Sequence, residues 1–224
     1  MDWVEKYDLF LFDFDGLLVD TEKLHYEAYR KMCLNRGISF NWDFETYCIH
    51  AHFEADGIKK GIYKAFPKLH KQEGNWDVLY QEKKSIYQEL LLEKKIHLMP
   101  SAAELLNVLH EKSINRCVVT HSVKQHIDKI VGDNPILQTI PHWITREDYS
   151  HPKPHPECYQ KAIQLYGKLG DRIIGFEDTP RGLLALMGTR ATPVIVTKIR
   201  YTSLMSYIDQ GVKLFESLAD IQAI

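Results

Sequence analysis

The sequence predicts an α/β protein: a mostly parallel sheet, interrupted after its first strand by a helical segment. Three observations carry this expectation. Short apolar runs rich in Val, Ile and Phe alternate with helix-length amphipathic stretches, the pattern of β-α-β units. From about Thr21 to His97 that alternation gives way to helical periodicity. The chain of 224 residues, 45% hydrophobic and 26% charged, is long enough to bury a large core without disulfide staples.

The strand candidates, in order, are LFLFDFD, RCVVTH, WITRED, RIIGFED, TPVIVTK and VKLFES. In the helical segment, Leu24, Ala28 and Met32 recur at fourfold spacing, and Gly37 follows as a stop. Asn75 stands as a cap before WDVLYQEKKSIYQELLLEKK, a long helix charged along one side. Beyond the insert, Ser101 and Glu104 of SAAELLNVLHEKS have the S-x-x-E spacing of a capping box. HPECYQKAIQLYG closes on Gly167, and TPRGLLALMG opens with Pro180, a residue tolerated in a first turn. The expected domains are an α/β core over 1–20 and 98–224 and a helical domain over 21–97.

Function is sought at the strand ends, because open parallel sheets bind ligands beyond the carboxyl ends of their strands. The first run ends in Asp13-Phe14-Asp15-Gly16, the second in Thr120-His121-Ser122 and the fourth in Glu177-Asp178. The loop SHPKPHPE presents Lys153 between prolines. Carboxylates beside a core are costly without a compensating cation. Grouped carboxylate oxygens with room for water suit Mg²⁺, and Lys153 and Thr120 would then face a phosphoryl group. Each signal also has a plainer reading: Asp-x-Asp-Gly is turn-prone, Asp178 is a candidate N-cap for the helix after it, and threonine commonly ends strands.

Together the motifs resemble the haloacid dehalogenase-like superfamily of aspartate-nucleophile phosphotransferases, in the subgroup of β-phosphoglucomutase and sugar-phosphate phosphatases. DFDGLLVDTE matches the first motif, VVTHS the second, the lysine of HPKPHP the third and GFEDTPRG the fourth, in the family's order and spacing and over nearly the whole chain. The resemblance implies a Rossmann-like parallel-sheet core with an inserted α-helical cap. It implies Asp13 as nucleophile, Asp15 as acid and base, Thr120 as phosphoryl ligand and Lys153 as charge neutraliser. Asp13, Asp15 through its carbonyl, and Asp178 would hold Mg²⁺, with Glu177 a weak ligand or a group behind the metal. Gly16, Ser122, His121 and His25 would line the substrate site, His25 by likeness to a cap-helix histidine of the same subgroup.

The expected activity is a Mg²⁺-dependent phosphatase for a small phosphorylated metabolite, a sugar phosphate or nucleoside monophosphate. A phosphohexomutase is the alternative. It is weakened because HAHFEADGIKKG holds no arginine where the mutase-like members carry a phosphate-gripping one; Lys59 and Lys60 are the nearest cations. A catalytically silent binding protein of the same fold conflicts with the intact Asp13, Asp15, Thr120, Lys153 and Asp178. A dehalogenase conflicts with Asp15, which that branch lacks, and a phosphoaccepting receiver with the chain length. Glu157 and His121 depart from the usual aspartate and small residue.

A net charge of -2 offers nucleic acid and anionic membranes no general attraction. The acidic N-terminal stretch and the lack of a long apolar run predict neither signal peptide nor membrane span. Cys33, Cys48, Cys117 and Cys158 form no C-x-x-C pair and are read as reduced thiols. The protein is therefore expected to be cytoplasmic, as a monomer or weak dimer. His50 and His52, either side of Ala51, lack a third ligand at metal-binding spacing and are expected to be packed or solvated.

Overall fold

In the computed structural model, which describes residues 1–54 and 56–224, the strand LFLF is the centre of the architecture. It forms β1 (Leu9–Phe12), buried along its whole length. The other strands are β2 (Asn115–Val119), β3 (His142–Ile144), β4 (Ile173–Glu177), β5 (Thr192–Val196) and β6 (Lys213–Phe215). They form one sheet in the order β3-β2-β1-β4-β5-β6, and every pairing is parallel. β1 thus lies between β2 and β4, with Phe12 opposite Val118 on one side and Phe176 on the other.

Alternation along β1 divides the core into two layers. Phe10 and Phe12 stack with Phe176, and Trp3 packs against Phe10 and Phe176. Leu9 and Leu11 point the other way, into a cluster with Cys117, Val119, Cys158, Tyr159 and Ala162. A fully buried side chain of this size contributes about 1.5–3 kcal/mol, so β1 is anchored from both faces.

Contacts divide the chain into two compact units, Met1–Asp20 with Ile96–Ile224, and Thr21–Lys95. The second unit is helical: α1 (Glu22–Asn35), α2 (Phe44–Phe53), α3 (Gly57–Ala65), α4 (Pro67–Gln72) and α5 (Trp76–Glu93). Leu24, Ala28 and Met32 are buried in α1, which packs along α5. Gly37, at φ 69°, turns the chain after α1 and lets Ile38 N–H reach the Cys33 carbonyl. Asn75 caps α5 by accepting from Asp77 N–H. The charged face of α5 is not wholly outward, because Lys83 is buried beneath the rings of Tyr29 and Tyr87. Ala55, within HAHFEADGIKKG, lies outside the described residues.

The first unit adds α6 (Ala102–Glu111), α7 (Lys124–Asp133), α8 (Glu157–Tyr166), α9 (Pro180–Met187) and α10 (Met205–Asp209). One cap differs from expectation, and at another the plainer reading of Asp178 falls away. Ser101 sits in the left-handed region at φ 61° and its side chain makes no capping bond, so the S-x-x-E box does not form. A capping side chain works from extended backbone, which aims its oxygen at the first turn. Before α9 the cap is Thr179, whose Oγ1 accepts from Gly182 N–H at 3.1 Å, so Asp178 is not the N-cap.

Phe10→Ala is expected to lower urea-unfolding stability by about 3–5 kcal/mol, with the midpoint of the unfolding curve as the measurement.

Candidate active site

The chain leaves β1 held to β4, with Asp13 N–H donating to the Phe176 carbonyl at 3.0 Å. It then turns back on itself: Gly16 N–H donates to the Val19 carbonyl, and Val19 N–H to that of Phe14. Gly16 adopts φ 81°, and a Cβ there would stand 2.3 Å from Asp178 Oδ2. Glycine is required on both counts, and the fit brings the turn after β1 against the end of β4.

Lys153, 6% exposed, is the electrostatic centre. Its ammonium donates to Asp13 Oδ1 at 2.5 Å, Glu177 Oε1 at 2.6 Å and the Val119 carbonyl at 2.9 Å. Tyr159, from α8, donates its hydroxyl to the same Glu177 oxygen and lies 3.2 Å from Nζ. Burial opposes the charge on Lys153, yet the Asp13 and Glu177 carboxylates outweigh it and hold the pKa well above the usual lysine value. Asp13 is pushed well above the usual carboxylate range, by burial first and then by Glu177 and Asp15, against the pull of Lys153.

The loop carrying Lys153 is fixed from β2. Lys153 N–H donates to His121 Nε2 at 2.9 Å. Burial, followed by the charges of Lys153, Arg181 and Arg146, lowers the His121 pKa to about 3, so the ring is neutral and Nε2 is an acceptor. His121 therefore spends this nitrogen on the loop backbone. Next to it, Thr120 Oγ1 and Ser122 Oγ both donate to Asp15 Oδ2, at 3.0 and 2.7 Å, and Ser122 N–H donates to Thr120 Oγ1.

Asp13, Glu177 and Asp178 each offer a carboxylate oxygen, all within 4.8 Å of one another. Asp15 adds its charge next to Asp13, so four carboxylates gather where one ammonium pairs with two of them. That surplus of charge and the all-oxygen donor set fit a hard divalent cation such as Mg²⁺. Glu177 is the least available donor. One of its oxygens takes Lys153 and Tyr159, and the other is packed so closely on Gly182 that a Cβ there would lie 1.8 Å away.

Gly16, Asp13, Asp15, Thr120, Ser122, Lys153, Glu177 and Asp178 are thus gathered in the first unit. His25 belongs to the helical unit, where its Nδ1 lies 2.6 Å from Lys83 Nζ and its ring stacks on Tyr87. His50 stacks on Trp42, and His52 lies 3.2 Å from Glu22. Neither belongs to a potential metal cluster among the described residues. Lys60 pairs with Glu54 at 2.8 Å on the surface. Sequence reasoning did not single out Tyr159 or Gly182. Tyr159 carries no signal distinct from that of a core aromatic on an amphipathic helix, whereas Gly182 lay within the quoted GFEDTPRG, three residues from the helix cap.

The chain is similar to known proteins in sequence and in fold. A curated relative, (DL)-glycerol-3-phosphatase 2 of Arabidopsis thaliana, is 26% identical over 95% of this chain and 88% of its own length. The 2-deoxyglucose-6-phosphate phosphatase 2 of Saccharomyces cerevisiae is 29% identical over 85% of this chain and 80% of its own. The crystal structure of CbbY from Rhodobacter sphaeroides in complex with phosphate superposes with a TM-score of 0.71 at 20% identity, covering 97% of each chain, which shows a shared fold. A sequence model of the haloacid dehalogenase-like hydrolases matches residues 10–192, which include the strand ends that carry Asp13, Thr120 and Asp178 and the loop that carries Lys153, and the chain belongs to that family.

Proposed function

We propose that this phosphoric monoester hydrolase is a Mg²⁺-dependent phosphatase that acts on a small phosphorylated metabolite, a sugar phosphate or nucleoside monophosphate, through an aspartyl phosphate on Asp13. The observation that carries the reading is the pairing of two differently held carboxylates. Asp13 lies on the Lys153 ammonium, among the Glu177 and Asp178 oxygens. Asp15, two residues on, is turned onto the hydroxyls of Thr120 and Ser122.

In the first half-reaction an Asp13 oxygen attacks phosphorus in line, the bond from phosphorus to the ester oxygen breaks, and protonated Asp15 gives its proton to the departing oxygen. In the second, Asp15 takes a proton from water as the water attacks phosphorus. The bond from Asp13 to phosphorus then breaks, inorganic phosphate leaves and both carboxyls return to their starting states. Lys153 holds Asp13 in place and offsets charge on the phosphoryl oxygens, while Thr120 and Ser122 orient Asp15. Asp13, Asp178 and the Asp15 carbonyl would hold the metal, with Glu177 behind them. Mg²⁺, when bound, offsets the clustered negative charge and polarises the phosphoryl group.

Curated relatives named as phosphatases of glycerol 3-phosphate and 2-deoxyglucose 6-phosphate support a small phosphorylated substrate. The missing arginine in HAHFEADGIKKG favours water over a second substrate hydroxyl as acceptor, since a mutase must grip a bisphosphate while it reorients. By the family likeness, residues 21–97 are the helical insert that sets substrate choice, with His25 on its first helix as the residue proposed to contribute. Four free, buried cysteines support a reducing, cytoplasmic setting. No helix among the described residues is long and apolar enough to cross a membrane. A monomer or weak dimer, with no nucleic-acid partner, completes the reading.

The test is phosphate release from an aryl phosphate and then from a panel of phosphorylated metabolites. Turnover is expected with Mg²⁺ and none with excess chelator; turnover unaffected by chelator would exclude the metal-dependent scheme. On a hexose 1-phosphate with a bisphosphate primer, free phosphate is expected, and an isomerised hexose phosphate would make the enzyme a mutase.

Asp15→Asn is expected to lower kcat by about 10²–10⁴-fold with KM little changed, in steady-state assays. Asp13→Asn is expected to abolish turnover yet raise the Tm of the Mg²⁺-free protein. The sign follows from the raised pKa of Asp13 in the fold: from the ordinary carboxylate pKa upward the unfolded chain ionises Asp13 freely while the folded state resists it, so Asp13 costs stability at neutral pH. A neutral amide removes the cost, and the difference in Tm should shrink when Mg²⁺ is added.

A further inference from the structure

The loop that presents Lys153 carries a second set of ligating side chains with different chemistry. His151, His155 and Glu157 each offer one ligand atom, and these atoms lie within 4.8 Å of one another. Glu157 is held by main-chain donors, Ser150 N–H at 2.9 Å and His151 N–H at 2.8 Å. His151 Nδ1 lies 2.5 Å from Glu157 Oε2, and His155 Nδ1 accepts from Glu157 N–H at 3.2 Å. The two imidazole centroids are 4.7 Å apart. Pro152, Pro154 and Pro156 alternate with the residues of this segment. Each fixes a φ angle, so holding the three side chains together costs less chain entropy than in an ordinary loop.

We propose that His151, His155 and Glu157 form a surface site for a divalent transition metal of the zinc class, distinct from the carboxylate cluster at Asp13. Two imidazoles and one carboxylate match Zn²⁺, Co²⁺ and Ni²⁺, whereas Mg²⁺ favours oxygen ligands throughout. The two clusters therefore sort ions by donor type. The site is open to solvent, with side-chain exposure of 68% at His151 and 30% at Glu157, so an ion enters without crossing the core. The backbone bonds from Ser150 and His151 lower the Glu157 pKa to about 2, which keeps the carboxylate ionised over the whole range in which imidazole is neutral. Metal bound at His151 Nδ1 takes the place of the hydrogen bond to Glu157 Oε2, with the ring proton held on Nε2 and any proton displaced from Nδ1 released to solvent. His155 gives up its long contact with Glu157 N–H. Three protein donors leave the remaining positions to water, as in open zinc sites.

The experiment compares full-length wild type with the His151→Ala/His155→Ala double variant, both in excess Mg²⁺. Zn²⁺ equivalents are counted by competition with a chromogenic chelator. Wild type is expected to bind one equivalent more than the double variant, while both turn over an aryl phosphate at the same rate. Equal numbers of bound Zn²⁺ in two active proteins would overturn the proposal and leave the trio as a hydrogen-bonded start to α8. If the double variant does not fold, the imidazole nitrogens of wild type decide by NMR, with single variants assigning the signals. Zn²⁺ shifting both His151 and His155 supports the site, and Zn²⁺ shifting neither removes it.

Discussion

The Lys153 ammonium, buried between the Asp13 and Glu177 carboxylates, is the constraint around which the first unit is arranged. Removing the ammonium is the costly change, about 3–5 kcal/mol for a buried charge pair, because the carboxylates are then left uncompensated, whereas without Asp13 the ammonium still has Glu177. One ammonium cannot neutralise two carboxylates with Asp15 and Asp178 beside them. Grouping these acids costs the fold stability, and in the proposed scheme a divalent cation would both relieve that crowding and serve the chemistry on phosphate.

Close packing keeps this charge cluster in register. Gly16 is open enough for Asp178, and Gly182 for Glu177; a methyl group at either position would overlap a carboxylate. His121 and Tyr159 add a second set of restraints, the first on the backbone of the Lys153 loop and the second on the Glu177 carboxylate. Neither acts on phosphate in the proposed scheme. His121 positions Lys153, which does in that scheme, and Tyr159 positions Glu177 behind the proposed metal ligands.

Several of these relations were legible in the amino-acid order and others were not. The strand runs, with an acid or hydroxyl at their ends, marked Asp13, Asp15, Thr120, Glu177 and Asp178, because parallel sheets present their carboxyl ends along one edge. Lys153 stood out through its prolines. Tyr159 did not, since a tyrosine on the buried stripe of a helix reads as packing until its hydroxyl is seen to meet Glu177. Ser101 shows the opposite error: its spacing to Glu104 matched a capping box, but the left-handed backbone at Ser101 withdraws the side chain from the helix end.

By itself, the order of residues determined which segments become strands and helices, and which chemical groups end them, since hydrophobic periodicity and turn chemistry are local properties. Tertiary structure alone decided how those groups share charge: that Lys153 is divided between Asp13 and Glu177, that His121 serves a backbone amide, and that Thr179 rather than Asp178 caps α9. Partners in a buried cluster are chosen by distance and competition among all neighbours at once. Linear spacing records neither.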